Sequence, residues 1–414
     1  TEIVAGITTF LTMSYILAVN PAMFAQLDGM SAGAVFTATA LAATVGSLVM
    51  ALLAKMPFGL APGMGLNAYL AYTVVQGMGY SWQFALTAIF IEGLLFILLT
   101  ITNIREAIVN AIPSNLHNAI CAGIGLFIAF IGLQNGGVII NNDATLVTLG
   151  DITQGSALLS LIGLVITGVL YAKNVRGAML IGILATTLIG IPMGVTEYKG
   201  VLSQPESVAP IFCQFEFENI FTLDMLVVVF TFLFIDMFDT VGTLVGVCIK
   251  AKMVDQKGNI YRLKQAFMAD AIATTVGAML GTSTTTTYVE SAAGVAQGGR
   301  SGLTAFSVAM CFVVALFFSP LFLSIPSAAT APALIIVGLL MVEPIINISW
   351  DDFSESIPAF VCMIMMPLTY SISNGILLGM IAYVLMNMIC GNFRKITPAM
   401  YIMAILFILK FIFI

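Results

Sequence analysis

Apolar runs long enough to cross a lipid bilayer recur along the whole chain and limit what it can fold into. Of its 414 residues 60% are hydrophobic and only 8% are charged, whereas a soluble domain is about one quarter charged. A helix of about 20 apolar residues spans the hydrocarbon core and satisfies its own backbone there. The sequence therefore predicts an all-α polytopic membrane protein rather than a barrel of short alternating strands.

Fourteen apolar segments are separated by proline, glycine, asparagine or charged residues. The first seven are 3–19, 32–54, 62–75, 82–101, 116–133, 157–171 and 178–191. The second seven are 221–249, 266–280, 285–296, 303–323, 331–342, 357–370 and 372–389. A last apolar piece, 399–414, is expected either to span the membrane or to lie at its interface.

The distribution of charge predicts the orientation. With the N-terminus in the cytoplasm, nearly every lysine and arginine falls on the inner side, and Lys199 is the exception outside the apolar tail. The outer loops 135–154 and 192–219 carry acidic residues instead. This is the positive-inside pattern, which predicts a multi-pass protein of the cell membrane. No basic patch is present, so nucleic-acid binding is not expected.

Fourteen segments divide into two halves of seven, and because seven is odd the halves must be inverted relative to each other. Each half has one defective segment at a corresponding place, 57–68 in the first and 281–294 in the second. Such paired interruptions in inverted repeats indicate where a transporter binds its solute.

Both defective segments favour extended backbone followed by a helix. Segment 57–68 has two prolines and three glycines within nine residues, and 284–287 is a run of four threonines. Extended backbone survives at this depth only if it is paired or lines a cavity. We therefore expect the two pieces to pair and their helix N-termini to offer N–H groups to a polar solute. Two loops at the membrane surface are the alternative.

The stretches 231–246 and 281–294 place three acidic residues in sequence that otherwise reads as membrane-embedded. Asp236, Asp239 and Thr243 follow the spacing i, i+3 and i+7 of one helix face, and Glu290 lies in the second defective segment. Acids in such positions mark substrate or proton sites, although each can also be structural. Asn67 is expected either to line the site or to cap a helix.

The sequence offers few cysteines and histidines in the spacing that a metal site or a site of covalent catalysis needs. The six cysteines are scattered without a CxxC spacing, and His117 is the one histidine. We expect no metal, no cofactor and no enzymatic activity.

Three motifs carry a family resemblance: FIDMFDTVGTLVG, TSTTTTYVESAAGVAQGGRSG and PFGLAPGMGLNAY. They resemble the AzgA-like purine permeases of the nucleobase–cation symporter type 2 family (nucleobase/ascorbate transporters, xanthine/uracil permeases). The resemblance implies 14 transmembrane segments as 7+7 inverted repeats, with short antiparallel strands in spans 3 and 10. It implies a core domain (1–103 and 220–324), a gate domain (104–219 and 325–392) and an apolar tail (393–414).

The resemblance also implies a site. Asp239 on the eighth span and Glu290 on the tenth would bind the base, with Gly65, Leu66 and Asn67 bordering it from the third span. Val289 beside Glu290 and Thr12 on the first span complete the expected substrate contacts.

Thr243 departs from the uracil-transporting branch, which has a histidine at that position. Proton coupling would then run through Asp239, Glu290 or Asp236, with Thr243 on the same face.

The expected function is import of purine bases (guanine or hypoxanthine, with adenine left open) by proton symport and alternating access. Sodium coupling and a homodimer through the gate domain stay open. The alternatives are an anion transporter of the same 7+7 fold and an intramembrane aspartyl hydrolase using Asp236 and Asp239.

Overall fold

The structure is a computed structural model of residues 1–414. It describes the chain except for residues 103–112, 176, 251–252, 254–259, 289, 399, 402–403, 406–407 and 409–414, together with the side chains of 238, 241–242, 245–246, 249–250 and 373. The expectation for the tail 399–414 therefore falls largely outside the described residues, and so does Val289.

The first half of the chain contains eight α-helices and three short strands among its described residues. In order they are α1 Glu2–Met13, α2 Ile16–Phe24, α3 Ala32–Val49, β1 Leu60–Pro62, α4 Met64–Ala68, α5 Trp82–Ile101, α6 Ser114–Asn135, β2 Ile139–Asn142, β3 Leu146–Leu149, α7 Gly155–Ala172 and α8 Ala178–Gly190. Helices α3 and α4 continue as π-helical turns over Met50–Ala54 and Tyr69–Gly77.

The described residues of the second half form helices with one short strand between them. In order it contains α9 Leu223–Lys250, α10 Leu263–Leu280, β4 Thr285–Thr287, α11 Ser291–Ala296, α12 Gly302–Ala315, α13 Ser319–Leu323, α14 Ser327–Val342, α15 Phe353–Leu368 and α16 Ile372–Ile389. Short 3₁₀ turns cover Leu316–Phe318, Glu343–Asn347 and Phe393–Lys395.

Within the described residues, seven helical stretches are long and apolar enough to cross a membrane. They are Glu2–Phe24, Ala32–Ala54, Trp82–Ile101, Ser114–Asn135, Gly155–Ala172, Gly302–Leu323 and Ser327–Asn347. Three shorter apolar helices are Ala178–Gly190, Phe353–Leu368 and Asn374–Ile389. These stretches confirm a mostly helical, multi-pass membrane protein, while the count of fourteen and the inverted repeat stay predictions.

The first predicted span, 3–19, is not one regular helix. Helix α1 ends at Met13, α2 begins at Ile16, and Ser14 and Tyr15 form a turn between them. Tyr15 is 1% exposed, so this turn lies inside the protein.

The outer loop 135–154 contains an antiparallel hairpin that the sequence analysis did not predict. Strands β2 and β3 pair with Ile139 opposite Leu149. The turn between them is held by Asn142, whose side-chain oxygen accepts hydrogen bonds from the N–H groups of Ala144 and Thr145. Asparagine is a common turn residue for this reason, so the Asn-Asn-Asp run was the available signal.

The helices pack in two groups. In the first group α1 packs on α11 and α12, α3 packs on α10 and α12, and α5 packs on α9 and α10. In the second group α6 packs on α14 and α15, α15 packs on α16, and α7 packs on α8 and α14. Helix α4 also contacts α6, so the strand-bearing segments lie where the groups meet.

Glycines allow helices to approach closely within the first group. A Cβ atom placed on Gly93 of α5 would lie 2.4 Å from Oγ1 and 2.9 Å from the backbone nitrogen of Thr275 on α10. Small residues are common at such interfaces because packing drives helix association in lipid. The backbones of α5 and α10 are therefore in close contact at Gly93, and a larger side chain at this position would not fit.

We expect Gly93→Leu to lower the thermal unfolding midpoint of the purified protein in detergent, since overpacking a close contact costs about 1–3 kcal/mol. The matched control is Gly168→Leu on α7, where no described atom lies within 4 Å of the added Cβ. The control should keep its midpoint. Equal midpoints for the two variants would contradict the packing described for α5 and α10.

Candidate functional site

A two-stranded ribbon joins the two defective segments, as the sequence predicted. Strands β1 and β4 pair antiparallel, with Leu60 opposite Thr287 and Pro62 opposite Thr285. The ribbon extends at both ends, because the N–H of Gly63 donates to the carbonyl of Thr284 (2.9 Å) and that of Tyr288 donates to the carbonyl of Gly59 (3.0 Å). Pairing satisfies backbone groups that lipid could not.

Serine hydroxyls bind two backbone N–H groups of the first defective segment. The N–H of Leu60 donates to Oγ of Ser47 on α3, and the N–H of Gly59 donates to Oγ of Ser291 on α11, each at 3.0 Å. Helices from both halves of the chain thus hold the ribbon in place.

A short helix follows each strand. Helix α4 begins at Met64 after β1, and α11 begins at Ser291 after β4. Because the ribbon is antiparallel, the two helices begin beyond its opposite ends. Their N-termini therefore flank the ribbon from two sides, and the expectation that both offer N–H groups to one solute stays a prediction.

The two acids with expected substrate roles lie beside this ribbon. The hydroxyl of Tyr15 donates to Oε1 of Glu290 at 2.7 Å. Oδ2 of Asp239 lies 3.8 Å from the position that a Cβ on Gly63 would take, next to the end of β1. Both residues are half-buried, and their carboxyl groups lie within electrostatic reach of each other. The structure thus brings Asp239 and Glu290 together around one place.

Asp236 lies apart from them, in a buried network behind β4. It is fully buried, and its Oδ1 lies 3.0 Å from the hydroxyl oxygen of Thr240. The same hydroxyl oxygen lies 3.0 Å from Oδ2 of Asp270 and 2.7 Å from the hydroxyl of Thr286 on β4. Oδ1 of Asp270 accepts from the backbone N–H of Thr287 at 3.2 Å.

The contacts of Thr240 limit how this network can be protonated. A hydroxyl has one hydrogen and can donate only once. Thr240 can therefore donate to only one of Asp236, Asp270 and Thr286, so at least one of its contacts with the two acids is a hydrogen bond only if that carboxyl group carries a proton. The arrangement can thus hold a proton between Asp236 and Asp270.

The third-span residues Gly65, Leu66 and Asn67 all lie in α4 and are buried. A Cβ on Gly65 would lie 3.0 Å from Ile124 of α6, so Gly65 faces the second group of helices. Asn67 is fully buried and its Oδ1 accepts a hydrogen bond from the hydroxyl of Ser283. The capping alternative for Asn67 is wrong, because Gly63 is the N-cap of α4.

Two further expected residues lie nearby. The hydroxyl of Thr12 is bonded to its own helix and also lies 3.4 Å from the backbone carbonyl of Glu290. Thr243 is 8% exposed, two turns after Asp236 on α9.

The sequence analysis missed two buried acids that hold β4. Glu92 of α5 is fully buried and its Oε2 accepts from the hydroxyl of Thr284 at 2.9 Å, and Asp270 of α10 is likewise fully buried. The signal was available, since each is an acid inside an apolar span, as Asp239 is. The bond between Tyr15 and Glu290 was not predicted either.

Known proteins resemble this chain along its whole length. The Permease family model Xan_ur_permease matches residues 1–378. The adenine permease AdeP of Escherichia coli is 44% identical, with 100% of this chain and 93% of AdeP covered. The guanine/hypoxanthine permease PbuG of Bacillus subtilis is 47% identical, with 100% and 96% covered.

Solved structures share the fold at low identity. The transmembrane domain of the cyanobacterial bicarbonate transporter BicA superposes with a TM-score of 0.67 at 17% identity, covering 92% of this chain and 96% of that domain. The murine anion transporter Slc26a9 gives 0.66 at 12% identity, covering 95% and 68%. These similarities concern the fold alone.

We expect Thr240→Val to lower the unfolding midpoint in detergent, since it removes a hydroxyl that contacts two buried acids, at a cost of about 1–3 kcal/mol. Thr240→Ser should retain most of the stability because the hydroxyl remains. Thr100→Val on α5 is the control, because that buried hydroxyl donates to the carbonyl of Phe96 in its own helix. A loss no larger than in Thr100→Val would show that Thr240 does not hold the network together.

Proposed function

Since this chain belongs to the xanthine/uracil permease family, we propose that it is a secondary transporter that imports purine nucleobases with protons. A permease is a transporter rather than an enzyme, which removes the hydrolase alternative. The observation that carries the proposal is the placement of Asp239 and Glu290 beside the β1–β4 ribbon, inside a chain similar over its full length to adenine and guanine/hypoxanthine permeases.

A purine base fits the chemistry of these groups. It is flat and uncharged, and its edges carry N–H donors beside carbonyl or ring-nitrogen acceptors. Asp239 and Glu290 accept N–H bonds, and hydrogen bonds to charged groups are among the stronger ones in proteins. Asn67, Gly65 and Leu66 would border the base from α4, with Thr12 and Val289 beside Glu290. Guanine and hypoxanthine are the proposed substrates, with adenine third.

The proposed architecture has 14 spans in 7+7 inverted repeats in the cell membrane, with the N-terminus on the cytoplasmic side. Residues 1–103 and 220–324 would form a core domain and residues 104–219 and 325–392 a gate domain, with 393–414 as a tail. The two packing groups of helices support this division. Alternating access would then be a movement of the core against the gate, and a second copy would pair through the gate.

Proton coupling is proposed to run through carboxyl groups. Asp239 and Glu290 are close enough to repel each other when both are ionised, so a proton on one of them stabilises the pair. Asp236 offers a second place for a proton, shared with Asp270 through Thr240. Thr243 on the same helix has no ionisable group, so it would lie beside the carboxyl groups without itself carrying the proton.

Anion transport is the second candidate, because BicA and Slc26a9 share the fold. The charges of the site disfavour it. An anion placed beside Asp239 and Glu290 would meet two carboxyl groups, and like charges brought together away from water repel strongly. Competition by bicarbonate but not by hypoxanthine would reverse this preference.

Uptake of radiolabelled hypoxanthine into cells that lack their own purine permeases tests the proposal. Asp239→Asn and Glu290→Gln should each lower uptake about tenfold or more, because a lost bond to a charged group is worth about 1.5–3 kcal/mol. Asp143→Asn and Glu218→Gln, two exposed outer acids, are the controls and should transport normally. Full uptake by both site variants at matched protein levels would reject the site.

Proton coupling is tested separately in proteoliposomes. An inward gradient of hypoxanthine should carry protons inward, so the weakly buffered outside medium should become more alkaline. Replacing sodium with choline should leave the signal unchanged. Hypoxanthine uptake without any pH change, or one that depends on sodium, would contradict proton symport while leaving purine transport in place.

A further inference from the structure

Tyr15 lies in the turn between α1 and α2 and reaches the second half of the chain. Its ring is 1% exposed, and its hydroxyl donates to Oε1 of Glu290 at 2.7 Å. The ring of Tyr288 lies 6.5 Å away, centroid to centroid, at an angle of 46°. Thr12, three residues earlier, lies 3.4 Å from the backbone carbonyl of Glu290. The first segment thus touches both the side chain and the backbone of Glu290.

This bond fixes what Glu290 can offer to a ligand. A carboxylate has two oxygens that accept hydrogen bonds, and a phenol hydroxyl has one hydrogen to donate. With Oε1 bonded to Tyr15, the carboxylate plane is held and Oε2 is left to accept from another donor. A site residue held by a buried partner needs no reorientation when the ligand arrives.

We propose that Tyr15 is a positioning residue for nucleobase binding, which orients Glu290 so that Oε2 accepts an N–H of the base. The inference rests on the proposed function of the same site. Tyr15 acts through Glu290 and does not itself bind the base.

The position of Tyr15 predicts which kinetic parameter responds. Helix α1 packs against α11, the helix that Glu290 directly precedes, and against α12. Tyr15 and Glu290 therefore belong to one packing group and keep their bond if that group moves as a unit. Removing the hydroxyl weakens binding of the base without changing the translocation step, so KM should change and the maximal rate should not.

The experiment measures hypoxanthine uptake by Tyr15→Phe over a range of concentrations at matched protein levels. We expect KM to rise about tenfold, which corresponds to about 1.4 kcal/mol, with the maximal rate unchanged. Tyr383→Phe is the matched control, because the hydroxyl of that buried tyrosine donates to Glu355 at 3.3 Å outside the site. A merely structural role of Tyr15 would lower the amount of folded protein and the maximal rate while leaving KM unchanged, and this result would overturn the proposal.

A second background separates positioning from direct contact with the base. In Glu290→Asp the carboxyl group is withdrawn from Tyr15 by one methylene, so adding Tyr15→Phe should not raise KM further. A further rise would mean that Tyr15 binds the base itself, and the proposal would be wrong.

A third variant keeps the proposal testable if Tyr15→Phe does not fold. Replacing Tyr15 with 3-fluorotyrosine keeps the shape and alters the donor strength of the hydroxyl, so KM should change by at least about twofold, whereas the same replacement at Tyr383 should leave KM unchanged. An unchanged KM at position 15 would overturn the proposal. If the wild-type chain takes up no purine at all, the proposed function is wrong. If the wild-type chain takes up purine and the Tyr15 variants have the same KM, only the positioning role of Tyr15 is wrong.

Discussion

Lipid offers no hydrogen bonds, and the rest of this structure depends on how two interrupted segments meet that constraint. Each segment has non-helical backbone, so its N–H and C=O groups lack partners within the segment. Burying those unpaired groups in lipid would cost free energy. Pairing Leu60–Pro62 with Thr285–Thr287 satisfies both at once. The same pairing joins two distant parts of the chain and leaves a break in regular structure where polar side chains can gather.

The surroundings of the ribbon explain why so many buried polar residues persist in an apolar chain. Glu92 binds Thr284 just before β4, Asp270 binds the backbone of Thr287 in β4, and Ser47 and Ser291 bind the backbone around β1. These contacts hold the ribbon. Asp239 and Glu290 lie at its sides and stay partly exposed, which leaves them available to a solute. The two sets of acids thus differ in what they contact.

The sequence predicted the features that follow from chain chemistry. Glycine, proline and threonine content predicted the two extended pieces and their pairing, and apolar length predicted the membrane class. The sequence did not predict the register, with Leu60 opposite Thr287, because register depends on packing. It also did not predict that Asp236 and Asp239 have different surroundings. Helical spacing shows that two residues share a face, but not which neighbouring residues each one contacts. The bond of Tyr15 to Glu290 joins residues 275 apart in sequence, which no local pattern reveals.

The central claim is that Asp239 and Glu290 hold one flat base beside the ribbon formed by β1 and β4. A cryo-electron microscopy structure of the whole chain with bound hypoxanthine tests it most directly. The account predicts density for the base in contact with both carboxyl groups and adjacent to the ribbon, with Tyr15 still bonded to Glu290. Density for the base elsewhere, or the two acids separated with no shared cavity between them, would contradict it.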